Sequence, residues 1–271
     1  MHPILFKIGW FEVHSYGVML AIAFVSGIWL SVVRAKKSGL DPNKIMDLSV
    51  LIIISAIVGS RIAYVLPHMD EFRGHWLDTI NPIQSNGQIG IAGLTILGGV
   101  ILALVVTFLY AWWKKLPVWK LADVFAPAIA LGIFVGRIGC FLNGCCYGIP
   151  TNSPIGMVFP ENSPAGFAFP HQHIYPTELF SSFYGLLIFL ILLWAEKKYK
   201  TFDGFTFLLL WALYGAARFT VDFFRYYENS MVLARIHGVS FSLNQGVSLL
   251  LVIVSVFLLF YFHKRKVPKK A

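Results

Sequence analysis

The sequence predicts an all-α integral membrane protein, a single polytopic domain over residues 1–271 with seven transmembrane helices, the N-terminus outside and the C-terminus cytoplasmic. Three observations predict it. The chain is 57% hydrophobic, with a mean hydropathy of +0.70 and only 13% charged residues, where an ordinary soluble domain carries about 25%. Apolar stretches of about 20 residues, long enough to cross a hydrocarbon core as a helix, recur seven times. Lys and Arg collect in alternate connections between those stretches.

The first span covers 13–33; Glu12 and His14 interrupt its leading edge and no small-residue cleavage site follows, so it is expected to be retained rather than removed as a signal peptide. The second covers 46–66. The third, 91–113, carries Gly93 and the pair Gly98-Gly99, where a ligand or a neighbouring helix can come close. The fourth, 122–140, is the least regular, interrupted by Pro127 and several glycines. The remaining three cover 176–194, 204–224 and 241–262.

Basic residues fix the expected topology. Arg34, Lys36, Lys37 and Lys44 follow the first span; Lys114, Lys115 and Lys120 follow the third. Lys197, Lys198 and Lys200 follow the fifth, and five more follow the seventh. By the positive-inside rule these ends face the cytoplasm. The net charge of +9 is therefore a topology signal, and no nucleic-acid partner is expected. The longer loops, 67–90, 147–175 and 225–240, fall on the outer, periplasmic side, where they would cap a membrane site; they carry His68, His75, His171, His173 and His237.

Arg61, Arg137 and Arg218 lie inside apolar spans. Ionisable groups at such depth are costly and point to function. The second, fourth and sixth spans all run from inside to outside. Each arginine stands 14 or 15 residues beyond the inner end of its span, about 21 Å into a core about 30 Å thick. His14, Tyr16 and Glu178 fall at the same end, because the first and fifth spans enter from outside. A cluster of cations there fits an anionic lipid headgroup. Tyr214, Arg218, Asp222 and Arg225 share one helical face, with Arg218 and Asp222 placed to pair. In the run 136–148, glycines including Gly144 surround Arg137 and Asn143; the planar guanidinium matches a phosphodiester bidentately. Three cysteines, Cys140, Cys145 and Cys146, are too few and too close for a disulfide framework. Their spacing matches no standard zinc pattern. Reduced packing residues are expected, with no metal and no cofactor.

Gly136-Arg137-Ile138-Gly139-Cys140-Phe141-Leu142-Asn143-Gly144 resembles the signature of the bacterial prolipoprotein diacylglyceryl transferases. Shorter elements are similar too: His14-Ser15-Tyr16-Gly17, the run 59–64 around Arg61, Tyr175-Pro176-Thr177-Glu178-Leu179, and the stripe from Tyr214 to Arg225. The resemblance implies transfer of a diacylglyceryl group from phosphatidylglycerol to the lipobox cysteine of a preprolipoprotein signal peptide. A thioether forms and glycerol phosphate leaves, at the bacterial cytoplasmic (inner) membrane. It implies that Arg137 and Arg218 hold the phosphate and that Tyr16, Glu178 and Asp222 join the catalytic set. Arg61, Asn143, Tyr214, Arg225, His14, Gly98, Gly99 and Gly144 then line the substrate site. The chain departs from the family pattern at Leu97, where a histidine is usual, at Cys140, Cys145 and Cys146, and at Asp222, where glutamate is usual. The general base stays open among Glu178, Asp222, His14 and His173. Two other readings stand beside this one: a diverged relative with altered or lost acceptor chemistry, supported by Leu97, and a polytopic transporter, against which no paired broken helices are found.

Overall fold

A computed structural model describes residues 2–8, 11–72, 79, 95–227, 232–236 and 239–266. Among them, six helices are long and apolar enough to cross a membrane, and a shorter apolar helix joins them. The elements are β1 (Ile4–Ile8), β2 (Phe11–His14), α1 (Ser15–Lys37), α2 (Pro42–Val65), α3 (Ile96–Trp113), α4 (Val118–Asn143), β3 (Met157–Val158) and α5 (Pro164–Ala168). They continue with β4 (His173–Ile174), α6 (Thr177–Tyr199), α7 (Phe205–Val221), β5 (Val232–Ile236), β6 (Val239–Ser242) and α8 (Leu243–Lys266). Outward faces are apolar, as hydrocarbon requires: Val25, Trp29, Phe108, Ile253 and Phe257 are all exposed. This is a multi-pass membrane protein.

The all-α expectation holds for the spans but not for the connections. Three antiparallel two-stranded ladders, β1–β2, β3–β4 and β5–β6, flank helix ends. The first of them shifts a boundary. His14 pairs with Ile4 as the last residue of β2, so α1 starts at Ser15, two residues later than expected. Ser15 is held to the strand by its backbone N–H on the Pro3 carbonyl at 2.9 Å and by its hydroxyl on the His2 carbonyl. The third helix starts at Ile96 rather than 91; residues 91–94 lie outside the described residues. Pro127 does not interrupt the fourth span; it sits inside an unbroken α4.

The chain forms two compact units. In the unit of Met1–Ser31 and Trp119–Ala271, Ala126 and Ala130 of α4, Ile188 and Leu192 of α6, and Leu210 of α7 form a buried core. Small residues let these helices touch. A β-carbon on Gly185 would stand 2.7 Å from the backbone nitrogen of Phe134, and the Ser182 hydroxyl bonds the Phe134 carbonyl at 3.0 Å. At the Lys-rich end, Asp123 of α4 receives the N–H groups of Gly204 at 2.9 Å and Phe207 at 3.0 Å. It thus caps α7 from another helix, satisfying orphan donors of its first turn. Lys200 pairs with the same carboxylate at 2.9 Å. Burial opposes the Lys200 charge, but its bond to Asp123 and the attraction of Asp123 and Glu196 hold its pKa above the ordinary lysine value. α8 opens with a capping box: the Ser242 hydroxyl receives the Gln245 N–H at 3.1 Å, and the Gln245 side-chain oxygen receives the Ser242 N–H at 2.9 Å.

In the unit of Val32–Val118, α2 and α3 cross at glycines. A β-carbon on Gly59 would lie 2.5 Å from the Gly98 carbonyl oxygen, one on Gly98 2.2 Å from the Ala63 β-carbon, and one on Gly99 2.4 Å from the Ser60 hydroxyl. Backbone contact between the two helices is possible only because these side chains are missing.

Candidate functional site

One small cavity, of about 20 Å³, lies among α4, α6 and α7. Arg137, Ser181, Tyr184, Tyr214 and Arg218 line it over an apolar floor that includes Ile133 and Ile188. Two arginines 81 residues apart in sequence thus meet at one place, as their depths along the helices led us to expect.

Arg218 is fixed by a network on its outer side. Its Nη2 lies 3.3 Å from Asp222 and donates to the Tyr227 hydroxyl at 2.6 Å. Tyr227 in turn donates to Asp222 at 2.8 Å, and the Ser242 hydroxyl donates to the other oxygen of that carboxylate at 3.1 Å. Burial raises the Tyr227 phenol above the ordinary tyrosine range, with Arg218 and Arg225 pulling the other way, so it stays a donor. Arg218 Nη1 is buried and has no hydrogen-bond partner among the described residues. An unmet charged donor in a dry site is expensive, and it is poised for an anion. Tyr227, Ser242 and Gln245 were not singled out from the sequence. The Ser-x-x-Gln box ahead of the last apolar run was a usable signal; nothing in the sequence marked Tyr227.

Beyond Arg137 the chain leaves α4 and turns sharply. Gly144 and Cys146 both take left-handed backbone, each with φ of 70°. A β-carbon on Gly144 would stand 2.6 Å from the Ser163 β-carbon, and one on Gly148 2.6 Å from the carbonyl oxygens of Phe224 and Tyr175. This segment is strapped to the entry of α6 and the exit of α7. Gly148 N–H bonds the Tyr175 carbonyl at 3.0 Å, Ile149 N–H the Phe224 carbonyl at 2.9 Å, and Tyr226 N–H the Tyr147 carbonyl at 3.2 Å. The Thr177 hydroxyl bonds the Cys146 carbonyl at 2.9 Å. The turn brings the three cysteine sulfurs within 4.8 Å of one another. Contacts with the Cys140 and Cys145 side chains, aided by Arg225 and Arg137 against the effect of burial, push the Cys146 thiol below the ordinary cysteine range.

Glu178, in the first turn of α6, is fully buried. Neither carboxylate oxygen has a hydrogen-bond partner in another described residue, and Cys146, Arg225 and Arg137 are its electrostatic neighbours. Tyr16 is 41% exposed and its ring lies against Gly139 of α4, where a β-carbon would meet it at 3.3 Å. His14 is exposed at the end of β2. Asn143 ends α4. Arg225 stacks over the Tyr227 ring, 5.5 Å from its centroid. His173, exposed at the start of β4, bonds the Gly156 carbonyl at 3.1 Å. His75 and His237 lie outside the described residues.

The other unit holds Arg61, Leu97, Gly98 and Gly99. Arg61 is buried, donates from Nε to the Thr79 carbonyl at 2.8 Å, and lies over the rings of Phe72 and Tyr64 at 5.2 and 5.8 Å. Packing of α2 on α3 accounts for Gly98 and Gly99. Leu97 is 67% exposed on α3.

A model of the family described as prolipoprotein diacylglyceryl transferase matches residues 3–261. The chain is similar to a phosphatidylglycerol–prolipoprotein diacylglyceryl transferase of Clostridium tetani, 32% identical over 95% of this chain and 96% of that one. A second such protein, from Thermosynechococcus vestitus, is 32% identical over 80% of this chain and 78% of its own. A third, phosphatidylglycerol–prolipoprotein diacylglyceryl transferase 2 of Clostridium perfringens, is 32% identical over 83% and 84%.

Proposed function

Because the chain belongs to the prolipoprotein diacylglyceryl transferase family, we propose that it moves the diacylglyceryl group of phosphatidylglycerol onto the lipobox cysteine of a preprolipoprotein. The observation that carries this reading is the shared cavity of Arg137 and Arg218, where Arg218 Nη1 is a buried donor without a partner. A phosphate oxygen supplies the missing acceptor.

The acceptor sulfur attacks the glyceryl carbon that bears the phosphate. A C–S bond forms, the C–O bond breaks, and glycerol phosphate leaves with the electron pair. Negative charge grows on the leaving oxygen. The guanidiniums of Arg137 and Arg218 stabilise it more than they stabilise the bound phosphodiester, which is how a preorganised charge accelerates a reaction. Tyr214 and Tyr16 orient headgroup and ester oxygens, and Asn143, Gly144, His14 and Arg225 border the same end. Asp222 acts through Arg218 and is a positioning residue. Glu178 takes the thiol proton: it is a buried carboxylate with no bond to spend elsewhere, near Arg137 and Arg225.

The membrane arrangement is part of the proposal. Phe205–Val221, 17 residues and about 26 Å long, crosses as the sixth span in chain order and brings the total to seven, at the short end of the workable range. In each unit a tryptophan lies beside a lysine at a helix end, Lys114 3.8 Å from the Trp113 ring centroid and Lys198 5.7 Å from that of Trp194. Such pairs mark an interface, and the basic ends are assigned to the cytoplasm of a bacterial inner membrane. The N-terminus and the loops 67–90, 147–175 and 225–240 then lie outside, with 147–175 bordering the site; most of 67–90 and part of 225–240 lie outside the described residues.

The test is a transfer assay with purified protein, phosphatidylglycerol vesicles and a lipobox peptide bearing one cysteine. Glycerol phosphate release and the peptide mass gain are followed together, beside the Arg137→Ala and Arg218→Ala variants. Coupled release and mass gain, lost in both variants, are expected. Folded wild-type protein that binds phosphatidylglycerol yet modifies no peptide would sink the reading.

A further inference from the structure

We propose that Cys140, Cys145 and Cys146 form a three-sulfur site for one thiophilic metal cation, of the copper(I) or zinc class. The three sulfurs lie within 4.8 Å of one another. Three sulfurs at about 2.3 Å from a common ion stand roughly 4 Å apart, so closing on an ion takes small side-chain rotations.

The backbone is committed to this arrangement. Cys146 carries a side chain in the left-handed region, which residues other than glycine seldom adopt. Its conformation is imposed from outside, by the Thr177 hydroxyl on its carbonyl and by Gly144 wedged against Ser163. The Cys145 N–H returns to the Cys140 carbonyl at 3.1 Å, which brings the end of the turn back onto the helix. Packing alone does not call for this, since thiols pack well without facing each other. Backbone strain held in place at one spot marks a site, and three soft ligands converging there name the ligand class.

Charge also fits. Binding through three thiolates sends the remaining thiol protons to solvent and leaves a net charge of −2 with a monovalent ion or −1 with a divalent one. Arg225 and Arg137 are the cationic neighbours of Cys146 and offset that charge. Copper(I) is satisfied by three sulfurs, whereas zinc keeps a fourth position open. None of the three cysteines lines the phosphate cavity, although Arg137 lines it and also neighbours Cys146, and the proposal stands whether or not the transfer activity is found.

The experiment uses the full chain in detergent, reduced and stripped of metal. Copper(I) and zinc(II) are titrated in separate arms against a chromophoric competing chelator. One ion per chain is expected in at least one arm, and that arm identifies the cation. Affinity is expected to fall about tenfold or more in each of Cys140→Ser, Cys145→Ser and Cys146→Ser. A readout on the unaltered protein guards against misfolded variants. The chain has 3 cysteines in all, so maleimide adducts counted by mass report on this site alone, and one equivalent of ion is expected to protect all of them. Full labelling in the presence of the ion, or undiminished affinity in Cys140→Ser, overturns the three-sulfur site.

Discussion

Tyr227 takes a hydrogen bond from Nη2 of Arg218 across 2.6 Å. The same hydroxyl passes its proton side to Asp222 at 2.8 Å, so the phenol bridges a cation and an anion that also touch directly at 3.3 Å. The bridge holds one face of the guanidinium and leaves the other nitrogen for a ligand.

Removing that bridge with Tyr227→Phe is expected to slow transfer about tenfold, the worth of one hydrogen bond to a charged group. Asp222→Ala is expected to cost more, about a hundredfold, because it leaves a buried guanidinium without its counter-charge. Asp222→Glu restores the charge and is expected to recover most of the rate. Steady-state kinetics on the three variants check this, with the loss expected in kcat rather than KM.

Arg137→Lys and Arg218→Lys keep the charge and discard the planar fork. Each is expected to lower transfer by about 10²–10³-fold. Retention of near wild-type rates in both would mean that charge alone, without bidentate geometry, serves the phosphate.

Glu178→Gln is expected to act in opposite directions on stability and activity. An ionised carboxylate buried without a partner is costly, so the amide raises the thermal unfolding temperature. The same change removes a proton acceptor and is expected to lower transfer by about 10²-fold or more. Thermal unfolding and transfer measured on one preparation separate the two effects. A variant that is both less stable and fully active would contradict the assignment.

Asp123→Ala leaves Lys200 to Glu196 alone, 3.2 Å away, and two N–H groups of the α7 start without their acceptor; destabilisation of about 1–3 kcal/mol is expected. The Lys200 pair also sets a pH signature. Its pKa is raised in the folded protein, so the pair contributes fully below the ordinary lysine value of about 10.4 and is lost as pH rises through the higher folded value. Thermal unfolding of wild type and Lys200→Met is expected to differ at pH 9 (about 1.4 units below that value) and to converge as pH climbs past it.

Gly98→Leu places a side chain where the Ala63 β-carbon stands 2.2 Å from the first added atom. Overpacking by about 1–3 kcal/mol or more is expected, read as a lower unfolding temperature. A change in KM with unaltered stability would instead put this glycine at the substrate.

What the sequence made legible was local or periodic. The apolar runs announce the spans, and the fixed rise of a helix placed Arg137 and Arg218 at one level without any knowledge of their partners. The four-residue period announced the Arg218–Asp222 pair. What it left illegible came from distant segments. The Asp123 carboxylate caps a helix 81 residues further on, and Ser242 reaches Asp222 from 20 residues away. Residue type gave no warning that Cys146 adopts a backbone suited to glycine, and so the convergence of the three thiols was hidden. At Gly98-Gly99 the sequence signalled close approach but not whether a ligand or a helix makes it.

The helices α4 and α7 are pinned to each other at both ends, by Asp123 below Gly204 and Phe207 and by the strap that ties Ile149 and Tyr147 to Phe224 and Tyr226. A frame braced at two corners resists sliding. When the surrounding lipid thins or thickens, the two helices therefore rise or tilt as one rod, and the spacing of the guanidiniums they carry is insulated from bilayer mechanics.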